Sequence, residues 1–526
     1  MLGNLLGASA QCTELTGDLT SDRTLSASTC YHMTDCYVVK NGATLTIPAG
    51  TQILCGASAN LVVERGGQLV AIGTSSNPIV FSSDQTAGNR QPGDWGGIVL
   101  CGDAPNNEDA DATRKVCIDR TFGGTTVNGN SGTLQYIRIE YAGDITDRDN
   151  AAALALYSVG NQTTIDHIQV SESAGDGILA LGGTVNMKYL LSLNSYQSGF
   201  HFSLGNVSKA QFLLDLRRDL AAHASSGSYG LLIENDLNGT SNTPLTQPLI
   251  SNYTGQGPAS CGGTVSTDFH DGIRFDNNGA GSIRNSAVEG WRDNGLFLDA
   301  SSVGNTATDA LNFSSNAIIA ASTGMSYNSP PWATGCTGID IFDWIEGPKI
   351  TCEESGNVFT LTDFGYNTNL CDDYCDSRPT LTRTGTALDG TDFSAPFNSF
   401  FDSVTYKGAL GATTDWTTNW AQLCPQTASY CSCDAASMKT APATIRFAPN
   451  PANGRTVAYF ETTVSGTATL SVLDNITGVV RFSKTFRMTK AGQQQVAFSV
   501  KGLSPGVYTV KIDTKSTRFT GQIVVR

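Results

Sequence analysis

The stretch Asp176-Gly177-Ile178-Leu179-Ala180 decides the fold, because the chain keeps rewriting it. It returns as Ser198-Gly199-Phe200-His201-Phe202, Tyr229-Gly230-Leu231-Leu232-Ile233, Asp271-Gly272-Ile273-Arg274-Phe275 and Asn294-Gly295-Leu296-Phe297-Leu298, with a late copy at Thr337-Gly338-Ile339-Asp340-Ile341. Each copy reads as a turn glycine followed by apolar residues at the first and third positions, the period-2 signature of a short strand. Gly177 to Gly199 is 22 residues and Gly272 to Gly295 is 23. Strands recurring at that period leave no room for crossover helices, so the natural solution is a parallel β-helix with one rung per repeat. The other intervals, 31, 42 and 43 residues, fit a rung with a long insertion or two rungs with one corner altered.

The same alignment says which side chains face out. If the first and third residues after each glycine point inward, the second points outward: Leu179, His201, Leu232, Arg274, Phe297 and Asp340. Three of these six are apolar, which suits a binding ladder better than a catalytic stack.

Bulk composition agrees with a turn-dense β protein. The 526 residues include 56 glycines and 17 prolines, and only 15% are charged. A net charge of −15 argues against nucleic acid or an anionic membrane as partner. No apolar run reaches the roughly 18 residues of a membrane span. Fourteen cysteines without paired zinc spacing read as disulfides formed in an oxidising compartment. Cys101–Cys117 and Cys30–Cys36 are the first local candidates, and spacing alone leaves the connectivity open.

Taken in order, residues 1–10 read as a signal-peptide remnant ending in Ala8-Ser9-Ala10, and 11–36 as an N-terminal cap. The β-helix is expected over 37–335. Residues 208–224 suit either a short helix or a strand at Gln211–Leu214. The cysteine-rich 336–433 supplies last rungs and a cap over the open end, where unpaired backbone groups invite association. A linker at 434–442 leads to 443–526, which is basic, free of cysteine and patterned as a small β-sandwich.

Two resemblances follow from motifs. The terminal segment resembles the C-terminal sorting domain of type IX secretion substrates in Bacteroidota. The match rests on Pro449-Asn450-Pro451, Val472-Leu473-Asp474 with Gly478, Gly502-Leu503-Ser504-Pro505-Gly506-Val507-Tyr508 and the closing Ile523-Val524-Val525-Arg526. This resemblance implies engagement of the type IX secretion machinery and a place outside the cell or on the outer-membrane surface. Residues 37–420 resemble secreted right-handed parallel β-helix proteins, pectin-lyase-like in fold, found beside such sorting domains. That likeness is carried by Gly42–Thr51, Asn77-Pro78-Ile79-Val80-Phe81, Gly93-Asp94-Trp95-Gly96-Gly97 and Tyr136–Gly143. The implied architecture is all-β, a solenoid followed by an immunoglobulin-like sandwich.

For chemistry, glycoside cleavage needs two carboxyls roughly 5–9.5 Å apart. Acids on adjacent rungs, about 4.8 Å apart, could supply them. Asp271 with His270 and Arg274 is the best local constellation, and Asp166-His167 comes second, with alternation putting those two on opposite faces. Acidic corner residues ordinarily cap turns. No cofactor is required; calcium is the one ion considered, at Glu108, Asp109 and Asp111 or at Asp144, Asp147 and Asp149. The expected role is structural, adhesive or binding, toward glycans, another surface protein or further copies of the chain. A lyase or glycoside hydrolase on the flank is the alternative.

Overall fold

The computed structural model describes residues 12–143, 151–218, 227–261, 265–319, 323–327, 344–345, 356–366, 375, 378, 380–413, 415–431, 445–462, 466–474, 480–488, 492–513 and 518–526. The chain forms two compact units, Met1–Ser432 and Cys433–Arg526. Each is described by itself.

In the first unit, two long parallel sheets wind around one apolar core. Eleven strands make the flank sheet, including Asp176–Leu181, Phe200–Ser203, Leu231–Glu234, Asp271–Asp276 and Asn294–Leu298. Its register stacks Ile178, Phe200, Leu231, Ile273 and Leu296 in one buried column. The adjacent outward column is Leu179, His201, Leu232, Arg274 and Phe297, rung upon rung. The next rung is Thr323–Tyr327, while Thr337–Ile341 lies outside the described residues.

The repeated glycines are not turn glycines. Gly177, Gly199, Gly230 and Gly272 have no left-handed φ; what they lack is room. A Cβ on Gly177 would stand 2.6 Å from the Gly199 carbonyl oxygen and 2.9 Å from Val170 Cγ2. Close packing of the rung above therefore selects glycine, not backbone conformation.

The second sheet has sixteen strands and covers the remaining faces. Five of its strands, Gly132–Glu140, Thr164–Ser171, Asn186–Leu193, Lys209–Leu216 and Leu249–Gln256, pass through a corner in mid-strand. One residue in each takes positive φ there: Tyr136, His167, Tyr189, Phe212 and Asn252. A left-handed residue breaks the alternation of faces. It brings His167 Nδ1 onto the Asp166 carboxylate instead of separating them on opposite faces. Four corner rings stack along the axis, with centroids 4.2, 4.5 and 4.8 Å apart from Tyr136 to His167 to Tyr189 to Phe212. That spacing matches the separation of hydrogen-bonded strands, about 4.8 Å. Of the two readings of 208–224, the strand holds at Lys209–Leu216; residues 219–226 are outside the described set.

Three expectations need correction. Where a separate cap was expected over 11–36, its described strands Thr13–Glu14, Gly17–Leu19 and Cys30–Met33 already pair as rungs. Of 336–433, expected to supply last rungs and a cap, much of 336–374 lies outside the described residues, and 392–431 runs back along the helix as a strap. Its Asp392 carbonyl accepts from Asn285, Tyr406 and Gly408 carbonyls from Asn252, and the Gln422 carbonyl from Gln169; Tyr430 donates to Glu140. The strap ends in a Cys30–Cys431 disulfide. Cys36 pairs with Cys117, and Cys101 is a buried free thiol, so neither local pairing forms. A sheet register places Cys30 and Cys36 on different faces, which a spacing count cannot see.

The second unit packs a three-stranded and a four-stranded antiparallel sheet around Phe447, Phe460, Leu470, Val510, Phe519 and Ile523.

Candidate functional site

The flank column meets polar residues at its edges, and these close on one another. His201 lies between two carboxylates, with Nδ1 2.8 Å from Asp176 Oδ2 and Nε2 3.2 Å from Glu234 Oε1. Burial disfavours the imidazolium, but the charges and hydrogen bonds of Asp176 and Glu234 push its pKa up to about 10. Glu234 is desolvated too, yet bonds from His201, Asn277 and Ser203 hold its carboxyl below the usual range. Both ring nitrogens are therefore occupied, and the two carboxylates favour the charged ring. A general base needs a ring nitrogen free to take the substrate's proton, and here each already faces a carboxylate.

Two rungs on from His201, Arg274 Nη1 donates to Asp271 Oδ2 at 2.9 Å and Nε to Asp276 Oδ2 at 2.8 Å. Its guanidinium lies 4.1 Å above the Phe297 ring centroid. Asp271 is 1% exposed and also accepts from Asn294 at 2.6 Å. Burial raises its pKa, opposed by Asn294 and Arg274. His270 turns away to Asp293, 2.6 Å from Nδ1. The three sequence candidates thus do not converge: Asp271 and Arg274 form a buried ion pair, and His270 belongs to another.

The outward apolar ladder is also less open than expected. Leu179 is 1% exposed, buried with Phe122 and Val116 of a hairpin formed by Ala112–Val116 and Ile118–Phe122. Phe297 is buried as well. Leu232 and His201 keep partial exposure.

What opens on this flank is a cleft of about 420 Å³. Leu181, Leu204 and Leu237 supply apolar wall, and His201, Ser203, Glu234, Asp236, Thr240 and Asn242 supply polar wall. Asn107, Glu108 and Arg114 complete it from the opposite loop. The far wall is held by Asn235, whose Nδ2 donates to the Thr240 and Asn242 carbonyls at 2.8 and 3.1 Å. Asp236 Oδ1 accepts the N–H groups of Asn238 and Thr240, an Asx-type turn. The near wall is tied on by Asn107 Nδ2, 2.9 Å from Asn235 Oδ1. Of the cleft residues, His201 was singled out in the sequence for binding and Glu108 as a calcium ligand. The signal for His201 was the glycine repeat; Glu234 ends the Leu231–Glu234 strand and Asp236 lies two residues past it, where the Asn-rich loop hid them.

In the calcium loop, Glu108 pairs with Arg114 at 2.7 Å, Asp111 with Arg65 at 2.8 Å, and Asp109 caps the Asp111 N–H. Asp144, Asp147 and Asp149 lie outside the described residues. Among the described residues no group of three His, Cys, Asp or Glu is arranged for a metal.

In the second unit the sorting residues have structural duties. Asn450 Oδ1 accepts the Val524 N–H at 2.7 Å, and the Pro449 carbonyl accepts from Thr456. The buried Tyr508 hydroxyl donates to the Ser504 carbonyl at 2.9 Å. Gly502 sits at φ +92°, Leu503 packs on the core, and Gly506 opens the strand carrying Tyr508. Pro451 lies beside the Ala452–Val525 bridge.

Residues 17–337, more than half of the chain, match a family described as a pectate-lyase-like beta helix domain. Residues 446–526 match a secretion system C-terminal sorting domain. No curated protein matches, and no solved structure matches.

Proposed function

Because the chain belongs to the pectate-lyase-like β-helix family and carries a type IX sorting domain, it is a secreted protein of the cell surface or extracellular space, and we propose that its flank binds a ligand without cleaving it. Export implies interaction with the type IX machinery through residues 446–526.

One observation carries the binding reading: the cations on this flank are already engaged by carboxylates. His201 is held by Asp176 and Glu234, Arg274 by Asp271 and Asp276, and Arg114 by Glu108. A hydrolase or lyase needs an acid and a base able to change protonation at working pH. A cleft of this size with mixed apolar and polar walls falls in the usual range for small-molecule recognition. In this role the β-helix is a scaffold that holds an adhesive or recognition site at a fixed place.

A glycan array with the secreted protein tests this. Leu237 is 65% exposed on the cleft wall, so Leu237→Asp should abolish array signal while leaving thermal unfolding unchanged. Signal that survives Leu237→Asp places recognition elsewhere and sinks the reading.

A further inference from the structure

We propose that the flank cleft takes a neutral, hydroxyl-rich sugar unit and turns away uronates, an inference that rests on the binding reading above. The two cations lining the cleft are spent. Arg114 gives Nη1 to the Thr113 carbonyl at 2.8 Å and Nη2 to Glu108 Oε2 at 2.7 Å. His201 has both ring nitrogens on carboxylates. His201 therefore offers no free N–H to a ligand carboxylate, and the charge of Arg114 is already matched by Glu108. Three carboxylates line the same walls, Glu108, Glu234 and Asp236, so a uronate would meet excess negative charge in a partly desolvated site.

What the walls offer is acceptors. Asn107 is 6% exposed, and its Oδ1 is buried with no hydrogen-bond partner, although Nδ2 is fully used. A buried amide oxygen left unpaired is costly, and a donor from a ligand would satisfy it. Glu234, Asp236 and the exposed Asn242 add further acceptors around the cleft. Hydroxyl groups provide such donors without charge. Leu181, Leu204 and Leu237 provide apolar surface for the C–H face of a sugar ring.

Calorimetric titration of the full chain with neutral oligosaccharides and with oligogalacturonate at pH 7 tests the assignment. Expected is saturable binding of a neutral sugar, no heat from the uronate, and about tenfold weaker binding in Asn107→Ala, the loss of one hydrogen bond. Asn242→Ala, at an exposed position, probes the opposite wall should Asn107→Ala fail to fold, and should likewise weaken the neutral sugar. Glu108→Gln frees Arg114 and should let the uronate bind. Wild-type binding of the uronate, abolished by Leu237→Asp, overturns the ligand class and leaves the cleft standing. Binding of neither class, or binding untouched by Leu237→Asp, overturns the cleft itself.

Discussion

His201 shows how a residue can look catalytic and be structural. A histidine on an open flank beside two carboxylates has the parts of an acid–base centre, but both carboxylates are spent holding it charged. Its pKa, raised to about 10 from an ordinary 6.5, sets a sign. The folded state holds the proton more tightly than the unfolded chain, so this contribution to stability is complete below pH 6.5 and is lost as pH rises toward about 10. Ring NMR of His201 should therefore report imidazolium at pH 8, and chemical unfolding should show stability declining between pH 7 and 10. A ring that titrates near 6.5 would contradict the arrangement. The sequence placed His201 in the correct outward column, because period 2 and a common glycine suffice for register. It could not reveal Asp176 and Glu234 as its partners, which belong to rungs 25 and 33 residues away. Buried charge pairing is a three-dimensional fact; Asp215 and Arg217, side chains almost wholly buried and joined at 3.0 Å, were equally invisible.

At the scale of elements, the rungs were legible and the strap was not. Rungs announce themselves through alternation and repeated glycines, even though those glycines answer to crowding and not to a turn. Among the described residues of 392–431 there is no regular strand to recognise, and they hold the corners through side-chain amides meeting strap carbonyls. Trp416 and Trp420 lie over the stacked corner rings, with Trp420 5.6 Å from His167. Left-handed corners cost about 1–2 kcal/mol each, and ring stacking, worth about 0.5–1.5 kcal/mol per pair, offsets part of that. The strap is fastened at its far end by Cys30–Cys431. Cys431→Ser should cost about 2–5 kcal/mol in unfolding free energy and make 392–431 the first site of limited proteolysis. Unchanged stability and unchanged cleavage would mean that the amide contacts alone hold the strap.

For the whole molecule, fold and export were readable because both rest on local, repeated or contiguous motifs, from the glycine ladder to Pro449-Asn450-Pro451 and Gly502–Tyr508. The site was not, because it is assembled from a loop near Asn107, strands near His201 and a second loop near Thr240. Asp271 and Arg274 attracted attention through proximity in sequence, and that same proximity lets them neutralise each other. The binding reading rests on the pairing of His201, Arg274 and Arg114 with carboxylates on this flank. The most direct measurement is prolonged incubation of the secreted protein with neutral and acidic polysaccharides, following new reducing ends and unsaturated products alongside retention on the immobilised protein. Retention with no product is the expected result. Product formation that disappears in Asp271→Ala or Glu234→Gln would contradict it.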